Sequence, residues 1–324
     1  MSPKRRENYI DPIVPPSQAE GGCPALSDLS PKDKPWDRHR ANTDTVSHHY
    51  QIGGMQRYAE RVSFCSQLLD FKLVPDAKQG GMKLKLSNAY FCRVRHCPVC
   101  QWRRSLRWKA KAAQALPLLT KEHPKLRYLF LTLTLKNCPI TELRDTLDKL
   151  NYGFRKLSRR KAFPGVGWLK SVEVTQGRDR LSAHPHLHLL IAVNPSYFSH
   201  GYLSQEKWCE LWQKCLKVDY KPILHVKAIK PRQSLNGILS EVIKYQVKES
   251  DLISDLGWFA ELVRQLHKTR AVAVGGIFRD YFKALEDEPE DLIGEGEEPD
   301  EIDEGHLFFG WKTQDRQYRQ VDYQ

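Results

Sequence analysis

The chain is organised around one stretch, Ala183-His184-Pro185-His186-Leu187-His188-Leu189-Leu190-Ile191-Ala192-Val193. Its apolar, β-branched second half predicts a buried strand. Because alternate side chains of a strand share a face, His186 and His188 point the same way, about 7 Å apart along the chain. The alternative is a pair of surface histidines without a ligand. The doublet, with His184 at the strand entrance, instead favours a metal site.

The charge of the chain is unevenly distributed. The formal net charge is +12 over 324 residues. Residues 286–304 hold twelve of the 39 acidic residues and no Lys or Arg, so the remainder carries +24. A basic body with an acidic tail is typical of a nucleic-acid-binding protein, although a merely basic surface is the simpler alternative.

The sequence predicts a cytoplasmic protein. The first thirty residues contain no apolar run of the kind found in signal peptides, and no stretch approaches the ~20 apolar residues that span a bilayer. We therefore expect no membrane association. The eight cysteines are then expected to be reduced, so that clustered cysteines indicate metal binding rather than disulfides.

A cysteine cluster predicts a structural zinc site. Cys97 and Cys100 form a Cys-x-x-Cys turn, whose two thiolates are able to bind one Zn²⁺. Cys92 would bring a third sulfur and Cys65 the fourth, with His96 as a competitor for the last position. A redox pair is the alternative reading, but no βαβ pattern surrounds the motif.

A basic helix follows the cysteines directly. It carries Trp102, Arg103, Arg104 and Arg107. Such a helix is suited to lie against a phosphate backbone or to stack on unpaired bases. The alternative is that its tryptophans pack inward while its cations face water.

Two further strands are predicted to flank the histidine strand. Residues 126–135 place Thr132 and Thr134 on one face, where they either contact DNA in a polar cleft or are simply good strand formers. Residues 167–175 are expected to form an antiparallel hairpin with the histidine strand, with Glu173 near the imidazoles. A carboxylate beside two imidazoles suits Mn²⁺ or Mg²⁺. Glu173 and His184 compete for the third ligand position, and Glu173 is favoured.

A helix is predicted over residues 235–248. Glu241, Lys244, Tyr245 and Lys248 fall at i, i+3, i+4 and i+7, which is one helical stripe able to follow a phosphodiester backbone. Taken alone, the tyrosine would be a packed helix residue and its neighbours a solvated face.

These blocks together resemble the plasmid rolling-circle replication initiators of the HUH endonuclease superfamily, in the Rep_1 family. The match lies in three blocks, in this order and spacing: Phe130-Leu131-Thr132-Leu133-Thr134, His184-Pro185-His186-Leu187-His188, and Glu241-Val242-Ile243-Lys244-Tyr245-Gln246-Val247-Lys248. The cysteine block at 91–105 is also similar to that family. The resemblance covers about residues 55–285 and leaves out the leader and the acidic tail.

The resemblance implies a mechanism. Tyr245 would nick one strand at the plasmid's double-strand origin, single-stranded at the nick, and would keep the 5′ phosphate as a phosphotyrosine. Host helicase and polymerase would then be partners. His186 and His188 would hold the divalent metal, and Glu241 would activate water in the terminating cleavage. A phenol with a pKa of about 10 needs help at neutral pH, which Lys244 and Lys248 would provide.

The order of elements from about residue 125 predicts an α+β fold. Strand, helix, strand, strand, helix, strand is a split βαβ, ferredoxin-like pattern with an antiparallel sheet. The histidine strand would be central, with the tyrosine helix over the catalytic face, as in HUH endonucleases. The expected domains are a flexible leader (1–47), a zinc-binding basic segment (48–120), the HUH endonuclease domain (121–285) and an acidic, disordered tail (286–324). Within the tail, the segment from Leu307 to Trp311 either folds back or is disordered.

Two other functions compete with the replication initiator. A transposase or conjugative relaxase would use the same chemistry on different DNA. A zinc-ribbon DNA-binding regulator would bind DNA without catalysis. The joint presence of the two-histidine strand and the Glu241/Tyr245 motif disfavours the regulator.

Overall fold

The structure, a computed structural model, describes residues 23–76, 80–230, 235–243, 245–285 and 305–322. The helices in these ranges are α1 (Leu26–Leu29), α2 (Pro35–Ile52), α3 (Gln56–Ser63), α4 (Pro98–Glu122), α5 (Leu143–Ser158), α6 (Ser196–Ser199), α7 (Gln205–Leu216), α8 (Leu235–Val242), α9 (Glu249–Ser254), α10 (Leu256–Gln265) and α11 (Phe278–Lys283). Short 3-10 helices lie at Pro31–Asp33 and Ile140–Glu142.

The strands form two antiparallel sheets. They are β1 (Leu68–Pro75), β2 (Met82–Ala89), β3 (Arg127–Thr134), β4 (Cys138–Pro139), β5 (Gly165–Gln176), β6 (Ser182–Val193), β7 (Leu224–Ala228), β8 (Val272–Gly276), β9 (His306–Lys312) and β10 (Gln317–Val321). The expected α+β class with antiparallel sheets is therefore confirmed. Among the described residues, no helix is long and apolar enough to cross a membrane.

The chain divides into two compact units. One comprises residues 1–100 together with 293–324, and the other comprises residues 101–292. The sequence placed a boundary at residue 120, whereas this division falls at residue 100. Both positions lie inside α4, which runs from Pro98 to Glu122.

The first unit contains a four-stranded sheet in the order β10-β9-β1-β2. Its core includes Trp36 and the buried Arg40 of α2, whose guanidinium pairs with Asp44 at 2.9 Å. The Tyr318 hydroxyl on β10 donates to the Ser66 carbonyl at 2.6 Å. The C-terminal strands are therefore part of this core.

Two predicted disordered segments contain regular structure instead. The leader was expected to be flexible up to residue 47, but residues 26–47 lie in α1, a 3-10 helix and α2, whose buried side chains pack in the first unit. The tail was expected to be disordered from residue 286, with folding back of Leu307 to Trp311 as the alternative. That stretch lies in β9, which pairs with β1 and with β10. Residues 1–22 and 286–304 of those predictions lie outside the described residues.

The second unit contains the sheet that carries the histidines. Its strand order is β7-β3-β6-β5-β8, with β4 paired to β6. The histidine strand β6 is central, as predicted, because β3 and β5 lie on either side of it. Along the chain the elements β3, α5, β5, β6, α7 and β7 follow the predicted order.

The two faces of this sheet are covered by different helices. We call the face that carries Glu173, His186 and His188 the histidine face. On it, apolar residues of α4, α8 and α11 pack against Leu169 and Leu190. On the opposite face, α5 places the Phe154 ring 5.0 Å from that of Trp168.

The helix predicted over residues 235–248 ends earlier, at Val242. The Val242 carbonyl accepts a hydrogen bond from the Ser171 hydroxyl of β5, and the chain then leaves the helix. The Val174 amide donates to the Gln246 carbonyl at 2.8 Å, and Val247 forms a parallel bridge with Val174. Pairing with the sheet edge thus replaces the last predicted helical turn.

Candidate functional site

The candidate metal centre is formed by neighbouring residues of β5 and β6. In the antiparallel register Glu173 faces His186, and Ser171 faces His188. The Glu173 Oε2 atom lies 2.8 Å from His186 Nε2 and 2.7 Å from His188 Nε2. The strand period of two therefore brings the carboxylate between the two imidazoles, as predicted.

The electrostatics of Glu173 favour its ionised form. Burial alone would raise the pKa of this carboxyl. The hydrogen bonds from His186 and His188 outweigh burial and hold the pKa of Glu173 well below its usual range. A buried carboxylate that stays charged is a suitable ligand for a cation.

The three ligand atoms fit a divalent cation. A cation about 2.1 Å from each of two adjacent octahedral ligands separates those ligands by about 3.0 Å. The separations of 2.7 and 2.8 Å are close to this value. Of the described residues, these three and the cysteine cluster below are the only such groups of metal-binding side chains. Two nitrogens and one oxygen leave coordination positions for water or a phosphate oxygen.

A threonine on β3 orients one of the imidazoles. Thr132 Oγ1 lies 3.3 Å from His188 Nδ1, on the ring edge opposite the Nε2 atom. The Phe130 ring stacks on the same imidazole, with centroids 5.9 Å apart and planes 15° apart. A ring held at Nδ1 presents Nε2 to a cation in a fixed direction. The sequence predicted that Thr132 faces a polar cleft or is simply a good strand former, and it did not reveal the contact with His188.

His184 lies beside the metal centre without joining the group. Its ring centroid is 5.4 Å from that of His186. Burial, followed by repulsion from His186, lowers the pKa of His184. The geometry therefore brings Glu173, and not His184, into contact with both imidazoles.

The residues of the predicted catalytic stripe do not share one helix. Glu241 is exposed on the last turn of α8, and Tyr245 is half-buried beyond its end. Lys248 precedes α9, and Lys244 lies outside the described residues. The bridge between Val247 and Val174 holds the backbone of this segment next to Glu173.

The other predicted DNA contacts differ in their surroundings. Trp102, Arg103, Arg104 and Arg107 are half-buried on α4, and the Arg103 guanidinium lies 5.7 Å from the centre of the Trp102 ring. Thr134 is buried, and its hydroxyl donates to the Ile223 carbonyl at 2.8 Å. The prediction that Thr134 contacts DNA does not fit this position, because its only hydroxyl is used inside the protein.

The cysteine cluster lies in the first unit. The Cys97 and Cys65 sulfurs are 3.5 Å apart, and the Cys100 sulfur lies 3.6 Å from those of Cys65 and Cys92. A tetrahedral Zn²⁺ with Zn–S bonds of about 2.3 Å separates its sulfurs by about 3.8 Å, which these distances approach. His96 is buried nearby but is not a member of the group.

Burial shapes the chemistry of these thiols. It raises the pKa of Cys65 and Cys92. Burial acts in the same direction on Cys97, but hydrogen bonds from the other three thiols hold the pKa of Cys97 well below its usual value. Cys97 also directly precedes α4, whose N-terminus favours a thiolate. All four sulfurs converge, which suits a soft cation such as Zn²⁺.

Comparison with known proteins agrees with the motifs. The family model described as Rep_1, replication protein, matches residues 83–319. The chain belongs to the Rep_1 family of replication proteins. The resemblance drawn from the motifs is thereby confirmed, while the match extends past the acidic segment that was expected to lie outside it.

Curated relatives that match most of this chain are named Protein rep. A protein named Protein rep from Streptococcus pneumoniae serotype 2 is 35% identical over 285 residues, covering 85% of this chain and 88% of the relative. A Protein rep from Lactiplantibacillus plantarum is also 35% identical, with 82% and 88% covered. A third, from Bacillus amyloliquefaciens, is 30% identical over 311 residues, with 85% and 89% covered. No solved structure matches the chain.

Proposed function

We propose that the chain initiates rolling-circle replication of a plasmid by nicking one strand at the double-strand origin, with Tyr245 as the nucleophile. It would act as a metal-dependent, site-specific endonuclease and ligase for single-stranded DNA. One observation carries the proposal. In a Rep_1 chain, the Glu173/His186/His188 group lies beside the segment that connects Tyr245 to the edge of β5.

The topology supports a fold of the HUH endonuclease type. The order βαββαβ along the chain and the spatial order β7-β3-β6-β5 are those of a split βαβ, ferredoxin-like sheet. Helix α8 packs on the histidine face. Tyr245 follows this helix, so the nucleophile would approach the sheet from the side on which the imidazoles lie.

The nicking step would exchange one phosphodiester for another. The Tyr245 phenol would lose its proton, and its oxygen would attack the scissile phosphorus. The bond from phosphorus to the 3′ oxygen would break, and that oxygen would take up a proton. The protein would keep the 5′ phosphate, and the free 3′ hydroxyl would prime a host polymerase behind a host helicase.

The surrounding residues would assist this step. Lys244 and Lys248 would stabilise the phenolate, whose usual pKa is about 10, and bind the phosphate. Glu173, His186 and His188 would hold Mn²⁺ or Mg²⁺, which supplies positive charge for the phosphate oxygens. Glu241 would accept a proton from water when the final cleavage releases the protein.

The cysteine group would have a structural role. Cys65, Cys92, Cys97 and Cys100 would hold Zn²⁺ and close the first unit around the start of α4. The basic residues at the beginning of that helix, Arg103, Arg104 and Arg107, would then contact the phosphate backbone of the origin. The plasmid substrate would make the protein cytoplasmic.

A covalent adduct tests the nucleophile. Single-stranded, labelled fragments of the plasmid's own origin are incubated with the protein and Mn²⁺, and the cross-linked peptide is identified by mass spectrometry. Tyr245→Phe should abolish the adduct. Tyr152→Phe is the matched control, since Tyr152 is exposed on α5 over the opposite face of the sheet. An adduct that persists in Tyr245→Phe would remove Tyr245 from the mechanism.

A further inference from the structure

A cleft of about 240 Å³ opens next to the candidate metal centre. It lies between β3, β7 and α8, and its lining consists of Phe130, Lys227, Ile229, Gly237, Ile238 and Glu241. One lining residue also touches the metal centre, because the Phe130 ring stacks on the His188 imidazole. The cleft therefore begins one aromatic ring away from a candidate metal ligand.

The lining matches the chemistry of a nucleobase. Ile229 and Ile238 are buried, so the interior is apolar and contains an aromatic ring. Lys227 and Glu241 are exposed, which puts a cation and a carboxylate at the rim. A base has a flat apolar face and polar edges, and each nucleotide also carries a phosphate. In the cleft, the aromatic ring of Phe130 matches the face of the base, the Glu241 carboxylate is an acceptor for its edge, and the Lys227 cation suits the phosphate.

The edge strand β7 places a histidine on the same face as Lys227. In the register of β3 and β7, Lys227 lies opposite Phe130 and His225 lies opposite Thr132. The side chains of Lys227 and His225 therefore both lie on the histidine face. Both residues are exposed. Their spacing of about 7 Å along the strand is close to the distance between successive phosphates of an extended single strand.

A glycine keeps the cleft open. Gly237 lies inside α8, where glycine destabilises a helix relative to alanine. A Cβ built at this position meets no other heavy atom within 4 Å, so no close backbone approach requires glycine here. The missing side chain leaves space on the cleft side of the helix.

We propose that this cleft binds one unpaired base of the single-stranded DNA that flanks the scissile phosphate, with Lys227 on the adjoining phosphate. The identity of the DNA rests on the function proposed above, whereas the binding of a base does not depend on nicking. Phe130 would then hold the base on the same ring system that positions His188. Binding of the correct nucleotide and orientation of a metal ligand would be coupled through one contact.

The test compares a DNA strand with bases and a strand without them. Affinities are measured by fluorescence anisotropy for oligothymidylate and for an abasic oligomer of equal length. Gly237→Leu fills the cleft. It should weaken oligothymidylate binding roughly five- to 150-fold, the range for loss of one base stack, and leave abasic binding unchanged. Gly257→Leu is the matched control, because Gly257 is an exposed helical glycine on α10 whose Cβ would meet only the Asp255 side chain, at 3.5 Å.

A second variant, Lys227→Gln, tests the proposed phosphate contact without relying on Gly237→Leu. Lys227→Gln should weaken binding of both oligomers. It should also reduce the slope of log affinity against log salt concentration by about the amount expected for one phosphate contact. If Gly237→Leu keeps the wild-type thermal midpoint and the full affinity for oligothymidylate, the cleft does not bind a base. A Lys227→Gln protein with unchanged salt dependence would equally overturn the proposal. If the wild type forms no adduct with origin DNA, the proposed nicking function is wrong. The comparison of the two oligomers still shows whether the cleft binds a base.

Discussion

Removing the Thr132 hydroxyl should weaken binding of the divalent metal about tenfold. The perturbation is Thr132→Val, which keeps the β-branched shape and replaces with a methyl group only the hydroxyl whose oxygen lies 3.3 Å from His188 Nδ1. When Nε2 binds a cation, Nδ1 carries the proton and donates it to this oxygen. The variant therefore loses the contact that sets the direction of Nε2.

The magnitude follows from what remains around the imidazole. Loss of a hydrogen bond that orients a metal ligand typically costs 10- to 100-fold in affinity, or about 1.4 to 2.7 kcal/mol. The Phe130 ring still stacks on the imidazole at 5.9 Å and keeps its plane in place. In the variant the imidazole becomes free to rotate only within its own plane. We therefore expect a loss of Mn²⁺ affinity near the lower end of this range, about tenfold.

The metal-free protein is titrated with Mn²⁺, and binding is measured by calorimetry or by electron paramagnetic resonance. Thr134→Val is the matched control on the same strand. Its hydroxyl donates to the Ile223 carbonyl at 2.8 Å, so its loss should lower the free energy of unfolding by about 1 to 3 kcal/mol without changing Mn²⁺ affinity. Unchanged affinity in Thr132→Val, or an equal loss in both variants, would refute the reasoning.

Three further predictions concern buried charge and metal. Because hydrogen bonds depress the pKa of Glu173, this carboxylate stabilises the metal-free protein above its unfolded pKa of about 4.3 and loses that effect as the pH falls toward its lower folded pKa. The difference in urea stability between wild type and Glu173→Gln should therefore shrink below about pH 4; a constant difference contradicts the assignment. Cys97→Ser should lower the zinc content measured by atomic absorption and destabilise the fold, whereas Cys23→Ser, outside the cluster, should do neither. Burial, followed by repulsion from Arg155 and Arg270, lowers the pKa of Lys170 to about 8, so its charge costs stability below that pH and the cost fades as the pH rises toward about 10.4. Lys170→Met should flatten the rise in unfolding free energy between about pH 8 and 10, and an unchanged rise would show that another group causes it.

Local pattern was sufficient to predict the centre of the second unit. Strand parity put His186, His188 and Glu173 on one face, and the register of β5 and β6 brings them together. Cysteine spacing likewise predicted a cluster that the structure assembles at sulfur separations of 3.5 to 3.6 Å. Both inferences depend on short-range geometry, which the period of a strand and the reach of a turn determine.

The errors fall where contacts are distant in sequence. The prediction that one helix carries Glu241 and Tyr245 was wrong, because α8 ends at Val242. The chain beyond it pairs with the edge of β5, where the Val174 amide donates to the Gln246 carbonyl and Val247 bridges to Val174.

Residues 23–47 were assigned to a flexible leader because polar, charged segments of this kind lack apolar periodicity of their own. The apolar stretch Leu307-Phe308-Phe309-Gly310-Trp311 was left open between folding back and disorder, because its partner strand β1 is distant in sequence. They become ordered through partners elsewhere, as when the Tyr318 hydroxyl reaches Ser66 across 252 positions.

The sequence by itself determined the ligand types, their spacing and the faces on which they lie, because these depend on residues within one or two turns or strands. Only the tertiary structure determined where the segment with Tyr245 leaves its helix, which residues close the first unit, and that a cleft opens beside His188. The physical reason is that unpaired strand edges and unfilled volumes are satisfied by whichever part of the chain reaches them, and no local pattern records that choice.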